Sequence, residues 1–395
     1  MRYDMKVLIA SDWYAPVVNG VVTSVLNLQR ELEAQGHEVR VLTLSQSVRT
    51  RVEGSVTYIG AVSAGLIYPG ARLRTALASR QIHDLICWKP DVIHTQCEFS
   101  TFLMARKISA FTGAPIVHTY HTVYEDYTHY FSPSQAWGRR MVARFTRHIA
   151  AEVSCMIAPT EKVRALLTRY RVSCPVEVVP TGIDLRRFSQ PADAVRARRL
   201  REKLGIPADR FVLVNVGRLA KEKNVEELFA CLAELERDDV TLLLVGDGPH
   251  RAALEQMAGE MDLRDQVVFA GMVPPAEVAD YYRLGDLFVS ASTSETQGLT
   301  YIEALSAGLP ALCRRDDCLA GVIEDGVNGW QFENGQEFKE RLRTYLEEDE
   351  ARRLQMRKAA AEGAGRKFSA EGFASHVAEV YAAALNGKDR LCRDA

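Results

Sequence analysis

Two glutamates, Glu295 and Glu303, stand eight positions apart across a predicted junction between a loop and a helix. Residues 286–290 before them form a short apolar run that is typical of a buried strand. Residues 301–307 contain good helix formers and are followed by a glycine and, two residues later, a proline, which is a helix stop signal. The order strand, loop, helix therefore places this acidic pair beyond the carboxyl end of a strand.

The start of the predicted helix offers a site for an anion. Gly298, Leu299 and Thr300 lie there, and free backbone amides and the helix dipole attract negative charge at such an end. A carboxylate accepts hydrogen bonds from two neighbouring hydroxyls at once, so Glu295 and Glu303 suit a sugar beside the anion. The alternative interpretation is a capping acid and a solvated helix face.

A glycine followed by two cations gives a second candidate anion site. Gly217 follows an apolar strand predicted over 211–216, and Arg218 and Lys223 come shortly after it. A guanidinium binds phosphate through two parallel hydrogen bonds, whereas an ammonium acts as a point charge. This position and spacing favour the binding of two phosphates over ordinary surface charge.

Polar side chains also lie within or just after two strands predicted in the first half of the chain, over 91–96 and 115–122. In a doubly wound sheet ligands gather at the carboxyl ends of the strands. We therefore expect four groups near one crevice, although a histidine in such a place is often a packed residue: His94, Glu98, His118 and His121.

Residues 137–149 have the pattern of a basic amphipathic helix. At about 100° per residue, one sector contains arginines and the opposite sector is apolar. This pattern favours a helix lying in a membrane interface, and the alternative is a helix that only covers a core. The basic set is Arg139, Arg140, Arg144 and Arg147, and the apolar set is Trp137, Met141, Val142, Phe145 and Ile149.

The elements that position these residues fall into two α/β halves. A strand over 6–11, a helix over 21–35 opened by Gly20, and a strand over 39–43 form a βαβ unit with a parallel sheet. Gly20 would let backbone amides approach a phosphate or an acceptor, but the loop before it is not a dinucleotide fingerprint. The predicted domains are 1–185, a Rossmann-like domain that binds acceptor and membrane, 186–368, a Rossmann-like domain that binds a nucleotide sugar, and 369–395, a helix that crosses back to the first domain.

Composition agrees with a two-domain chain of ordinary globular character. The 395 residues are 25% charged and 47% hydrophobic, and no apolar run is long enough to predict a signal peptide or a membrane span. Residues 1–190 contain 22 basic against 15 acidic side chains, an excess of +7, whereas residues 191–395 carry a net charge of −9. A basic half suggests an anionic partner, either membrane or nucleic acid.

Metal and disulfide chemistry are not expected. The eight cysteines include no C-x-x-C pair, which predicts reduced thiols in a cytosolic protein. The chain has no D-x-D motif and no His/Cys cluster with metal-ligand spacing. Any activation of a phosphate should therefore depend on cations and helix-terminus amides.

Residues 295–303 resemble the E-x7-E motif of retaining glycosyltransferases of family 4. That family has the GT-B fold, which implies an α/β protein with two Rossmann-like doubly wound domains facing across a deep cleft. The resemblance implies that Glu295 contacts hydroxyls of the donor sugar, Glu303 contacts the ribose, and the amides around Gly298 and Leu299 meet sugar and diphosphate. It assigns Arg218 and Lys223 to the diphosphate leaving group. Two further positions, Gly246 after the apolar run 242–245 and Val273 at the end of a strand predicted over 267–273, would line the nucleotide site.

Within the family, residues 94–100 and 118–130 look like bacterial 1,2-diacylglycerol 3-alpha-glucosyltransferases. His121 matches the family histidine that lies beside the donor sugar. The resemblance implies transfer of glucose from UDP-glucose to diacylglycerol, with retention, at the cytoplasmic face of the membrane. The implied partners are a nucleotide-sugar donor, a lipid acceptor and an anionic membrane surface, without nucleic acid, metal or other cofactor. The residues expected to meet acceptor or membrane are Glu98, Tyr124, Tyr127, Trp137 and the four arginines of 137–149.

The sequence leaves other functions open. Within the family they are a different donor such as GDP-mannose, another lipid or a soluble acceptor, or a second glucosylation of a glycolipid. Outside it they are a phosphorylase, which needs a lysine for pyridoxal phosphate and a longer chain, a sugar-nucleotide epimerase, and a basic membrane-binding module without catalysis. The presence of Arg218, Lys223, Glu295 and Glu303 argues against the non-catalytic module.

Overall fold

Short apolar runs, most of them fully buried, form the parallel sheet at the centre of each of two units. The computed structural model describes residues 4–64, 72–74, 79–125, 134–190 and 193–393. The first unit comprises Met1–Ile183 and Ala370–Ala395, and the second comprises Asp184–Ser369.

The first unit contains an eight-stranded sheet among its described residues. Its strand order is β10-β9-β8-β7-β1-β2-β4-β3, and every neighbouring pair is parallel except β3 and β4. A separate antiparallel pair consists of β5 and β6. The strands are β1 (Lys6–Ser11), β2 (Glu38–Leu44), β3 (Arg51–Glu53), β4 (Val56–Ile59), β5 (Val62–Ser63), β6 (Arg72–Leu73), β7 (Val92–Thr95), β8 (Ile116–Thr119), β9 (Cys155–Ala158) and β10 (Val176–Val178).

Helices connect these parallel strands and pack on the sheet. The first begins at Gly20, and the Asn19 side chain caps it by accepting a hydrogen bond from the Val22 amide at 2.8 Å. The helices are α1 (Gly20–Ala34), α2 (Arg80–Trp88), α3 (Ser100–Thr112), α4 (Gln135–Ala150) and α5 (Glu161–Tyr170).

The second unit has a six-stranded, wholly parallel sheet in the order β13-β12-β11-β14-β15-β16. Its strands are β11 (Phe211–Val216), β12 (Val240–Val245), β13 (Val267–Gly271), β14 (Leu287–Ser290), β15 (Ala311–Arg314) and β16 (Gly329–Phe332). Its helices are α6 (Ala194–Leu204), α7 (Val225–Ala233), α8 (Arg251–Glu260), α9 (Val278–Leu284), α10 (Leu299–Ser306), α11 (Gly335–Glu347) and α12 (Glu350–Lys367).

The last helix, α13 (Ala370–Arg393), belongs to the first unit. Its residues Phe373, Val377 and Tyr381 are buried in the same apolar cluster as Val7 and Ile9 of β1. Burial of these side chains fixes the helix on the sheet of the first unit.

In each sheet, the direction in which successive strands are added reverses beside one inner strand. In the first unit β1 lies between β2 and β7, and in the second β11 lies between β12 and β14. The chain therefore builds one side of each sheet and then crosses to the other. Ligands of doubly wound sheets bind at the carboxyl ends of the strands at this switch point, which lies between β1 and β7 in the first unit and between β11 and β14 in the second.

One predicted strand ends earlier than expected. The apolar run predicts a strand over 267–273, but β13 ends at Gly271, whose φ of +74° turns the chain out of the sheet. Val273 therefore lies in the loop beyond the strand, where its side chain is still buried.

Candidate functional site

The carboxyl ends of β11, β12 and β13 approach one another closely at two glycines. The Gly217 amide donates to Val245 O at 3.0 Å, and the Gly246 amide donates to Gly271 O at 2.9 Å. A Cβ on Gly246 would lie 2.0 Å from Gly217 O, and its φ is +135°. Only glycine fits at position 246, so the predicted pair Gly217 and Gly246 lies at one edge of the sheet.

Lys223 and Glu295 come into direct contact at the switch point of the second unit. The Lys223 ammonium donates to Glu295 Oε1 at 2.5 Å, although the residues are 72 positions apart. Lys223 ends a 3-10 turn, Lys221–Lys223, after β11, and Glu295 lies in the loop after the neighbouring strand β14. A cation that can bind phosphate and a carboxylate that can accept from hydroxyls are thus in direct contact.

Arg218 is also held by a carboxylate. Its guanidinium donates to Glu222 Oε1, and the Glu222 side chain is only 5% exposed. Glu222 Oε2 is buried and has no hydrogen-bond partner among the residues that the structure describes. Sequence reasoning missed Glu222, although this acid lies between Arg218 and Lys223 in the same motif.

The helix that follows Glu295 begins as predicted, with a glycine immediately before it. Gly298 precedes α10 with a φ of +73°, and a Cβ there would lie 2.7 Å from the Tyr301 ring. Leu299 and Thr300 are the first two residues of the helix. Their amides point out of the helix N-terminus, where they can bind an anion.

Glu303 lies in the second turn of α10. Its Oε2 accepts a hydrogen bond from the Tyr282 hydroxyl of α9 at 2.8 Å, and the same hydroxyl lies 3.2 Å from Thr300 O. Burial raises the pKa of Glu303 to about 7, against the hydrogen bond from Tyr282, which lowers it. Tyr282 is a partner that the sequence analysis did not identify.

At the switch point of the first unit, a buried glutamine joins two histidines. His121 Nε2 donates to Gln96 Oε1 at 2.5 Å, and the Gln96 amide donates to His94 Nε2 at 3.0 Å. His94 Nδ1 lies 2.7 Å from the Tyr381 hydroxyl of α13. Burial lowers the pKa of His121 to about 3 and that of His94 well below its ordinary value, so both rings are neutral.

The expectation that four polar groups lie near one crevice was wrong for two of them. His94 and His118 are fully buried, because both lie within the strands and not beyond them. His118 Nδ1 bonds to Thr95 Oγ1 at 2.8 Å, and its Nε2 lies 3.4 Å from Glu98 Oε1 without hydrogen-bond geometry. These two histidines are packed residues of the core.

Glu98 and Tyr124, both expected at the acceptor, contact each other. The Tyr124 hydroxyl donates to Glu98 Oε2 at 2.5 Å, and the Tyr124 ring packs edge to face on Phe99 at 6.4 Å. Burial raises the pKa of Tyr124 well above its ordinary value, so the phenol stays protonated. Tyr127 lies outside the described residues, and Gly20 is the exposed first residue of α1.

The faces of α4 differ from the predicted two sectors. Val142 and Ile149 pack into the core together with Gly138 and Thr146, because that side of the helix meets the sheet. The other three apolar residues and the four arginines are exposed, so an apolar stripe lies between the core face and most of the basic residues. The exposed set is Trp137, Met141 and Phe145, with Arg139, Arg140, Arg144 and Arg147.

This stripe continues onto α3. The Phe145 ring stacks on Phe99, with ring centroids 6.0 Å apart, and Leu103 lies one helical turn after Phe99. We call Phe99, Leu103, Trp137, Met141 and Phe145 the apolar patch, since each is between 37% and 53% exposed. The sequence pattern did not predict that residues at the start of α3 extend the apolar surface of α4.

Neither a metal cluster nor a membrane span is found in the described part of the chain. Across residues 4–393, apart from the gaps given above, three or more His, Cys, Asp or Glu side chains do not gather at one point. Of the helices that the structure describes, none combines the length and apolar character needed to cross a bilayer. The prediction that catalysis needs no metal stays a prediction.

Two families of known proteins match the chain. Residues 18–187 match Glycosyltransferase Family 4, and residues 197–363 match Glycosyl transferases group 1. The chain is 36% identical to the alpha-monoglucosyldiacylglycerol synthase of Streptococcus pneumoniae over 82% of this chain and 74% of that protein. It is 35% identical to the enzyme of the same name from Acholeplasma laidlawii over 86% of this chain and 87% of that protein.

The structure is also similar to solved structures. A sucrose-phosphate synthase from Thermosynechococcus elongatus matches 97% of this chain and 100% of its own with a TM-score of 0.76, at 21% sequence identity. This likeness confirms the predicted GT-B fold.

Proposed function

The chain belongs to the family 4 glycosyltransferases, and from this premise we propose that it transfers glucose from UDP-glucose to diacylglycerol and forms alpha-monoglucosyldiacylglycerol. The contact between Lys223 and Glu295 is the observation that carries the proposal. A nucleotide sugar presents phosphate and hydroxyls on neighbouring atoms, and this pair presents a cation and a hydroxyl acceptor within 2.5 Å of each other.

In this proposal the second unit binds the donor. Arg218, Lys223 and the amides at the start of α10 bind the diphosphate, and Glu295 accepts hydrogen bonds from hydroxyls of the glucose. Glu303 accepts hydrogen bonds from the ribose. Gly246 and Val273, beyond β12 and β13, line the remainder of the nucleotide site.

The reaction exchanges one bond to the anomeric carbon for another. The bond between that carbon and the diphosphate oxygen breaks, and its electron pair goes to UDP. The diacylglycerol hydroxyl attacks from the same face, and its proton passes to the departing phosphate oxygen. Configuration is retained, and no protein base is required. Arg218 and Lys223 stabilise the charge that develops on the leaving group, which is usually the largest catalytic contribution.

Two further features of the first unit fit a lipid acceptor. Glu98 and Tyr124 form a polar pair beside Phe99, and Phe99 is part of the apolar patch. The arginines of α4 lie next to that patch and suit anionic headgroups. We infer that α3 and α4 rest on the inner face of the cytoplasmic membrane and that His121 assists the transfer step.

Donor and acceptor profiling tests this function. The full chain is incubated with UDP-glucose, UDP-galactose or GDP-mannose and with vesicles of diacylglycerol, monoglucosyldiacylglycerol or phosphatidylinositol, and lipids are analysed by mass spectrometry. We expect a single hexose on diacylglycerol from UDP-glucose. Preference for GDP-mannose, for phosphatidylinositol or for the glycolipid would replace the proposal with the corresponding family function.

A matched pair of variants links the activity to the site. Lys223→Met should lose at least about a hundredfold in kcat/KM, since it removes charge stabilisation of the leaving group. Lys221→Met, on the exposed start of the same turn, should stay within about twofold of the native rate, since an exposed charge contributes little. Equal losses in the two variants would contradict the role of Lys223.

A further inference from the structure

We propose that Gln96 is a positioning residue that holds His121 in one neutral tautomer, with the proton on Nε2. Gln96 follows β7 directly and is 2% exposed. Its side-chain amide lies between His121 Nε2, at 2.5 Å from its oxygen, and His94 Nε2, at 3.0 Å from its nitrogen. The inference rests on the proposed function only for the part that His121 plays in transfer.

The amide group determines the tautomers because its two ends are not equivalent. A carboxamide oxygen only accepts and its nitrogen only donates. His121 must therefore carry its proton on Nε2, which makes Nδ1 the acceptor of that ring. His94 must leave Nε2 unprotonated and carry its proton on Nδ1, towards the Tyr381 hydroxyl at 2.7 Å.

The other members of this network anchor Gln96 in the core. His94 and Tyr381 are fully buried, and Thr119 Oγ1 lies 2.7 Å from His94 Nε2. His121 is the partly exposed end of the series. The ring of His121 is thus connected through Gln96 and His94, both buried, to Tyr381 of α13.

Nitrogen-15 spectra of the imidazole rings of the full chain test the tautomers without reference to activity. We expect His121 as the Nε2–H form and His94 as the Nδ1–H form at pH 7.5. In Gln96→Leu we expect His121 to become a mixture of tautomers. A wild-type spectrum with His121 as Nδ1–H or as the charged ring would overturn the proposal, and so would an unchanged His121 tautomer in Gln96→Leu.

Kinetics test whether this positioning matters for transfer. Gln96→Leu should lower kcat by on the order of tenfold to a hundredfold with little change in KM for UDP-glucose, because a misplaced group costs rate more than binding. Thr95→Val is the matched control, since it removes a buried hydroxyl one residue away that bonds to His118. It should leave the His121 tautomer unchanged and kcat within about twofold. Equal losses of kcat in both variants would contradict the positioning role.

A conservative variant covers the case in which Gln96→Leu does not fold. Gln96→Glu keeps an oxygen to accept from His121 Nε2 but adds a negative charge, so the pKa of His121 should rise above its native value. A His121 resonance that titrates as in the wild type would contradict the contact. If the spectra are as expected but the chain has no glucosyltransferase activity, the positioning role of Gln96 stands and the proposed function is overturned.

Discussion

Lys223 and Glu295 bring a cation that suits phosphate and a carboxylate that suits hydroxyls into direct contact. Under the proposed function, a diphosphate competes with Glu295 for the ammonium group, which lies 2.5 Å from that carboxylate. The carboxylate also repels phosphate until sugar hydroxyls bind to it. Sugar and diphosphate should therefore bind to this pair together.

Replacement of Glu295 should change the affinity for UDP and the affinity for UDP-glucose in different ways. In Glu295→Gln, UDP should bind as tightly as in the wild type or more tightly, because a competing charge is gone. UDP-glucose should lose at least about tenfold in affinity, since the hydroxyls lose a charged acceptor. Calorimetry with both ligands measures the two affinities. Parallel losses would show that Glu295 does not contact the sugar.

Glu303 gives the site a predicted pH dependence. Burial raises its pKa to about 7, so the fraction of carboxylate increases between pH 6 and pH 8. In the proposed function ribose hydroxyls donate to this carboxylate, so the affinity for UDP-glucose should increase with pH over this range. Glu303→Gln should bind more weakly and without this dependence.

The control for that measurement is Glu340→Gln on the exposed face of α11, which should keep the native profile. Binding of UDP-glucose that does not change from pH 6 to pH 8 in the wild type would exclude a ribose contact by Glu303. UDP-glucose is the better ligand here, because its diester phosphates are already ionised over the range.

At the scale of elements, α4 shows why a helical pattern alone does not determine a function. Five apolar residues were predictable as one sector, but only the packing shows that Val142 and Ile149 serve the core. Trp137, Met141 and Phe145 remain exposed, and the Phe145 ring stacks on Phe99, the residue before α3. Three aromatic or sulfur side chains beside arginines suit the interface of a membrane.

Replacement of Trp137, Met141 and Phe145 by serine should reduce binding to vesicles that contain anionic lipid by at least about tenfold, since insertion of even part of these side chains contributes more than about 1.4 kcal/mol. Leu354→Ser is the control, because Leu354 is 66% exposed on α12 of the other unit. Cosedimentation measures both. An undiminished bound fraction of the triple variant would exclude the apolar patch as a membrane contact.

The strand ends at Gly246 lead to a prediction about stability. Gly246→Ala places a Cβ 2.0 Å from Gly217 O at a φ of +135°, and it should destabilise the protein by at least about 1–3 kcal/mol. Gly365→Ala, within α12 and with open space around it, should instead stabilise by up to about 1 kcal/mol. Urea unfolding compares them. Equal effects of the two substitutions would contradict the close approach of β11 and β12.

The strands and their order along the chain were largely predictable, because short apolar runs between glycines and polar loops are typical of buried strands. Contacts between distant residues were not. Lys223 meets Glu295 only because β14 crosses back beside β11, and Gln96 meets His121 only through the pairing of β7 with β8. Tyr282 and Tyr381 were missed for the same reason, because their partners Glu303 and His94 are distant in the sequence. Glu222 was missed although its partner Arg218 is only four residues away.

At the scale of the whole molecule, the charge difference between the halves agrees with a different proposed role for each half, membrane contact for the first and donor binding for the second. The basic half contains the apolar patch and the arginines of α4, and the acidic half contains the candidate donor site. The relatives from Streptococcus pneumoniae and Acholeplasma laidlawii are identical to this chain at over a third of the aligned residues, and the alignments cover both halves. Both parts therefore belong to one enzyme and not to a binding module with an added domain.

The metal-free mechanism is testable on the intact protein. Activity with UDP-glucose and diacylglycerol should persist in excess EDTA, because Arg218 and Lys223 supply the positive charge at the diphosphate. Loss of activity that a divalent cation restores would contradict this mechanism. An unrelated glycosyltransferase with a known metal requirement serves as the positive control for chelation.

The anomeric configuration of the lipid product tests the central claim most directly. Proton NMR of the glycolipid formed from UDP-glucose and diacylglycerol vesicles should show a single glucose with the small anomeric coupling of an α-linkage. A β-linked glucose would contradict transfer with retention. The absence of any glucosylated lipid, with a folded protein that binds UDP, would contradict the proposed reaction as a whole.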